Sequence, residues 1–224
     1  MHARSTDRRS NPGRPRLSRE RVVDAATALA DEKGVHGITM RAIASRLGVE
    51  AMSLYNHVPG RESILDEMVD AVFREIDLPN PSIDWRPAIR DRAVSARSAL
   101  RRHPWAVGLL DSRSKPGPAT LRHHDAVLGA LRRGGFSVAM SAHAVSMIDS
   151  YLYGFVLQES SLPFASTTEV GAVADNISSE LPVDTYPHLI EMISEYARVH
   201  DYDFSAEFEF GLDHILDALH PDEA

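Results

Sequence analysis

The 224-residue sequence predicts an all-α protein in two parts, an N-terminal helix-turn-helix domain and a larger helical domain behind it. Three observations carry that expectation. Apolar residues recur at helical spacing from Ser18 to Leu219, residues 39–58 break at a glycine between two short helical patterns, and charge is divided by sign along the chain. Residues 1–60 hold ten Lys/Arg against six Asp/Glu, or +4, and residues 61–224 hold fourteen against twenty-six, or −12; together these make the net −8. A basic end suits a polyanion, and an acidic body opposes indiscriminate sticking. With no cysteine, disulfides and thiolate metal sites are excluded. No stretch has the length of a membrane helix and the arginine-bearing N-terminus lacks an apolar signal core, so a cytoplasmic protein is expected.

Residues 1–17, with Arg8-Arg9 and Gly13-Arg14-Pro15-Arg16, have no apolar period and read as a disordered basic arm. Such an arm fits a minor groove and equally fits a solvated tail. Ser18 is placed to cap a first helix whose stripe is Val22, Val23, Ala26, Leu29 and Ala30, ending near Lys33-Gly34. Thr39 caps the next, with Ile43, Ala44 and Leu47 on one face. Gly48 then turns the chain into a second short helix from about Glu50. Val49 and Leu54 point inward, which leaves Ala51, Met52, Ser53, Tyr55, Asn56 and His57 facing out, as a major-groove helix requires. A helical hairpin with a glycine corner is also ordinary structure, so the stretch alone leaves both readings open.

Pro59-Gly60 breaks the chain before a helix from Arg61 to about Ile76, with Arg61 in its first turn where it can clamp a phosphate. The prolines of 77–84 mark the domain boundary, giving domains 18–76 and 85–221. Helices follow at Trp85 to Arg102 and Ala119 to Arg133, the second closed by Gly134-Gly135. The helix 137–159 is apolar on most sides, a pattern that asks for burial on most sides, including against a second subunit. Residues 160–185 read as a loop with a little helix, followed by helices at Pro187 to His200 and Phe204 to Leu219.

Thr39-x-Arg41-x-Ile43-Ala44, Leu47-Gly48-Val49 and Leu54-Tyr55-x-His57-Val58 resemble the DNA-binding domain of the tetracycline-repressor family. His103-Pro104-Trp105, Leu131-x-x-x-Gly135-Phe136-Ser137, Tyr153-Gly154 and Phe208-x-x-Gly211-Leu212 resemble the C-terminal domain of the tetracycline repressor's own branch. The resemblance implies a homodimer joined through helices 137–159 and 204–219. It also implies base contacts from Arg41, Ala51, Met52 and Ser53, with phosphate contacts from Tyr55, Asn56, His57 and Arg61; Tyr55 also suits a role closing the small core. It implies a repressor that a small-molecule effector releases from palindromic operator DNA. The competing expectation is a small-molecule-binding or enzymatic helical protein that keeps the N-terminal domain as scaffold.

The pattern departs from the family where the tetracycline repressor chelates a drug-bound magnesium. No histidine lies between His57 and Trp85, Asp111 falls near a second histidine's place, and Gln158 stands at the carboxylate's place, so a different effector is expected. Metal and catalytic chemistry find little support. His123-His124 point about 100° apart on a helix, His188-x-x-Glu191 has no Glu-x-x-His beside it, and no nucleophile elbow, P-loop or dinucleotide fingerprint occurs. No cofactor is expected. Trp105, Met140, His143, Met147, Tyr151, Phe155 and Gln158 are the candidate effector residues, because thioether, aromatic and scattered polar groups line adaptable cavities, although such a stripe also serves as plain core.

Overall fold

A computed structural model describes residues 16–110, 112–113, 115–162, 167–182, 185–197 and 204–222. Helices and turns alone occur among them, and none of these helices is long and apolar enough to cross a membrane. The basic arm expected over 1–17 lies almost wholly outside the described residues. Contacts divide the chain into Met1–Met68 and Val69–Ala224.

The first unit is built by local signals. Ser18 Oγ accepts from the Arg21 amide and opens α1 (Arg19–Lys33), and Thr39 Oγ1 accepts from the Ala42 amide and opens α2 (Met40–Leu47). Gly48, at φ 63 and ψ 41, closes α2 in the left-handed region that costs a side chain energy. The α-helical part of α3 is only Ala51–Leu54, shorter than expected, and turns carry the chain on to Pro59. Ile38, Ile43, Leu54, Val58 and Ile64 are buried to within about a hundredth of their surface and form the centre of this unit with Val22 and Ala26.

Helix α4 (Arg61–Arg74) stops two residues short of the expected Ile76. The division between units falls inside it, after Met68, rather than at the proline-bearing segment 77–84. A continuous helix has no composition shift at such a point, so the linker's prolines mark only where the helix has ended.

The second unit contains α5 (Trp85–Arg102), α6 (Val107–Leu110), α7 (Pro118–Arg133), α8 (Val138–Ser161), α9 (Thr167–Glu180), α10 (Pro187–Met192) with a π-turn at Ile193–Ala197, and α11 (Phe204–Ala218). The helix expected through His200 is described only to Ala197. The loop expected over 160–185 is corrected by α9. Its buried Val170 and Ala174 are one turn apart, too small a stripe to stand out among the Ser, Thr and Gly around it. Helix α5 packs on α7, α8 and α11. Arg86 and Arg90 reach Asp213, Asp217 and Glu209 of α11, while Arg97 bonds both oxygens of Glu159 on α8 and the Ser205 hydroxyl. Gly211 lets α11 approach Tyr151: a Cβ there would collide with the phenol oxygen.

Candidate nucleic-acid interface and ligand cavity

The short helix α3 rests on fully buried Leu54, and the residues beside it are turned out. Met52 is 74% exposed and Tyr55 48% exposed, Asn56 and Arg41 are exposed, and Ala51, Ser53 and His57 are half-buried. Tyr55 therefore does not close the core. The Arg41 guanidinium makes no ion pair or side-chain hydrogen bond among the described residues, in contrast with Arg19, which grips Glu67 with two nitrogens at 2.6 and 2.8 Å, and Arg46, 2.8 Å from Glu32. A planar five-donor group left unspent on a helix start, next to small side chains, can read a base edge.

Arg61 is bonded within its own unit. Its Nε donates to the Ile38 carbonyl at 2.8 Å, Nη2 to the Val35 carbonyl at 3.2 Å, and Nη1 lies 3.1 Å from Glu62. The guanidinium ties α4 to the turn before α2, so Arg61 positions the helix-turn-helix. Sequence spacing could not show this, because the accepting carbonyls are 23 and 26 residues away.

Among the described residues, the seven candidate effector residues occupy different surroundings. Tyr151 bonds the carbonyls of Glu207 and Phe208, both at 3.1 Å, and burial raises its phenol pKa. Phe155 packs on Phe204 and Phe208 with ring centroids 4.5 and 5.1 Å away, beneath the Arg97 guanidinium. Trp105 is buried in the corner after α5, and Met140 is half-buried in the first turn of α8. His143, Met147 and Gln158 are exposed on α8. A stripe chosen for its apolar and aromatic content finds the packing faces of α8, since those are what hydrophobic periodicity reports.

A cavity of about 220 Å³ lies instead against a different face of α8. Ser146, Asp149, Ser150 and Tyr153, at i, i+3, i+4 and i+7, form its floor; Thr120 and His124 of α7, Leu110 of α6 and Phe73 of α4 close it. Behind it sits a buried charge cluster. Arg92, 2% exposed, places Nη1 2.8 Å from Asp149 Oδ1 and donates from Nε to His123 Nε2 at 2.7 Å. Burial first, and then the Arg92 charge, lower the His123 pKa from 6.5 to about 3, so its ring is neutral. Beside the cavity, Asp70 of α4 accepts from both the amide and the hydroxyl of Thr120, at 2.9 and 3.1 Å, capping the first turn of α7. Among the described residues no three His, Asp or Glu side chains gather as a metal site. His123 and His124 point apart as expected, one into the cluster and one into the cavity wall.

Residues 22–68 match the family model described as bacterial regulatory proteins of the tetR family, and residues 78–221 match the tetracyclin repressor-like C-terminal domain. The chain belongs to the tetracycline-repressor family. Among its relatives is the HTH-type transcriptional repressor DrrR1 of Streptomyces coeruleorubidus, 34% identical over 96% of this chain and 82% of that protein. The class D tetracycline repressor protein of Escherichia coli is 31% identical over 72% of this chain and 75% of its own length. The Streptomyces coelicolor ActR structure in complex with actinorhodin superposes with a TM-score of 0.75 at 25% identity, covering 91% of this chain and 95% of that one. This member of the tetracycline-repressor family is a ligand-responsive, DNA-binding transcriptional repressor. Proteins of the family bind operator DNA and small-molecule ligands, form dimers, and are generally not enzymes.

Proposed function

We propose that two copies of this chain hold a near-palindromic operator through Arg41, Ala51, Met52, Ser53, Tyr55, Asn56 and His57 of each, and that a small-molecule effector in the α8-floored cavity releases it. The observation that carries the reading is the outward, unspent set around α3, above all Arg41. Arg41 can donate two bonds to a guanine edge, and Met52 can touch a thymine methyl. The recognition helices of a dimer then stand about one DNA turn apart, roughly 34 Å. Dimerisation through α8 and α11 is supported by an open apolar face: Met147 is 47%, Leu157 49% and Phe210 64% exposed, and Gly154 has open space where a side chain would stand. The cavity is supported as the effector site by its mixed aromatic, hydroxyl and carboxylate walls and by its sharing of Thr120 with the Asp70 clasp of α4. An effector acts only through its different affinities for the operator-bound and released states. We read the protein as a cytoplasmic regulator without catalytic activity of its own.

The test is binding of the full chain to DNA upstream of its own gene and to unrelated DNA, each at two salt concentrations. Tight binding confined to its own upstream DNA and weakened by salt supports the reading. Equal, weak binding to both DNAs overturns it.

A further inference from the structure

The cavity contains a carboxylate whose charge is already matched from behind. Asp149 Oδ1 is taken by Arg92, and its Oδ2 makes no hydrogen bond among the described residues. Arg92 is held in place by His123, so the cluster of Arg92, Asp149 and neutral His123 carries one positive and one negative charge. A carboxylate paired in this way presents only a weak net field, so neither a cation nor an anion gains enough there to offset the loss of its own hydration. Its free oxygen remains a strong acceptor for a neutral O–H.

The rest of the wall points the same way. Ser146 and Ser150 lie one turn apart on α8, and their hydroxyls make no hydrogen bonds among the described residues. In the same lining, the Phe73 ring offers an apolar surface that also meets the rings of His123 and His124 at 5.2 and 5.6 Å between centroids. At about 220 Å³ the space is below the roughly 300–1,000 Å³ of drug-sized sites, so it suits a ligand of few rings.

We infer that the effector is a compact, uncharged aromatic molecule bearing a hydroxyl that donates to Asp149 Oδ2, with its ring against Phe73. Asp149 is then the residue that sets specificity, through a direct bond that needs no metal. The inference rests on the cavity being the effector site, and the test separates the two.

Four probes on one ring system are titrated calorimetrically into the full chain: naphthalenediol, dimethoxynaphthalene, naphthalenesulfonate and naphthylmethylammonium. The diol is expected to bind at least tenfold tighter than the ether, about 1.4 kcal/mol, and tighter than either ion, with no change on adding magnesium. Asp149→Asn is expected to bring the diol-to-ether ratio close to one. Structural damage alone would weaken diol and ether together and leave the ratio unchanged, which would count against Asp149. Ser150→Leu, which fills the cavity from a partly exposed position, is expected to abolish binding of every probe. Equal binding of diol and ether, preference for the cation, a magnesium requirement, or no binding by any probe overturns the ligand class. Probe binding that survives Ser150→Leu overturns the cavity as the effector site, and the inference with it.

Discussion

The two units of this repressor treat their charged residues in opposite ways. Near α3 the side chains proposed to read DNA are exposed and unspent, held in place by an apolar centre of Ile43, Leu54 and Val58 and by two hydroxyl caps. In the second unit the decisive charges are inside: Arg92 and Arg97 are buried and bonded to carboxylates, and Asp70 is buried against the first turn of α7. A surface that reads DNA needs donors free for the duplex, and phosphate and base edges supply their partners on binding. A cavity that admits a small molecule needs polar groups fixed before the ligand arrives, so its partners come from the protein itself.

This contrast can be broken experimentally. Asp149→Ala would leave the Arg92 charge buried without its carboxylate, at a cost of about 3–5 kcal/mol. Both tryptophans, Trp85 and Trp105, lie in the second unit, so their fluorescence in a urea titration reports that loss directly. Operator selectivity below the transition is expected to be unchanged.

Acid should also act on the second unit first. The folded His123 pKa of about 3 lies below its ordinary 6.5, so protons bind the unfolded chain more readily. The stability present above pH 6.5 is therefore lost progressively as pH falls from 6.5 toward 3, with a slope approaching about 1.4 kcal/mol per pH unit for this group. Tryptophan-monitored stability measured between pH 7 and about 5.5, above most carboxylate titrations, should decline; a flat profile would mean that His123 is solvated or differently bonded.

In the first unit the expected effects are smaller. Gly48→Ala forces a side chain into the left-handed region at φ 63 and should cost about 1–2 kcal/mol. Far-ultraviolet circular dichroism should show earlier loss of part of the helix signal while the tryptophan transition stays in place.

The first unit was legible because its signals are local. Ser18, Thr39 and Gly48 act within four residues of themselves, and each closes or opens the helix that the spacing predicts. The bonds that Arg61 makes to Val35 and Ile38 were not legible, because those carbonyls come from a turn that the sequence places well before it. In the second unit the helices were legible and the cavity was not. Ser146, Asp149, Ser150 and Tyr153 look like a solvent face when α8 is read alone; residues distant in sequence, among them Arg92, 57 residues before Asp149, and Phe73 from another helix, turn that face into a cavity wall. The apolar stripe through Met147, Tyr151 and Phe155 packs against α11 and leaves an exposed flank. Helix α9 was not legible because Ser, Thr and Gly surround the Val170 and Ala174 that are buried among its described residues.

If reading DNA and holding structure are separate tasks on separate side chains, Arg41→Ala removes the first and spares the second. Affinity for the operator and for operators with single base changes would be measured at fixed salt, alongside urea stability. Stability within about 0.5 kcal/mol of wild type is expected, with a loss of about 1–3 kcal/mol in discrimination at one base position in each half-site. Unchanged discrimination, or a loss of stability that accounts for the weaker binding, would contradict it.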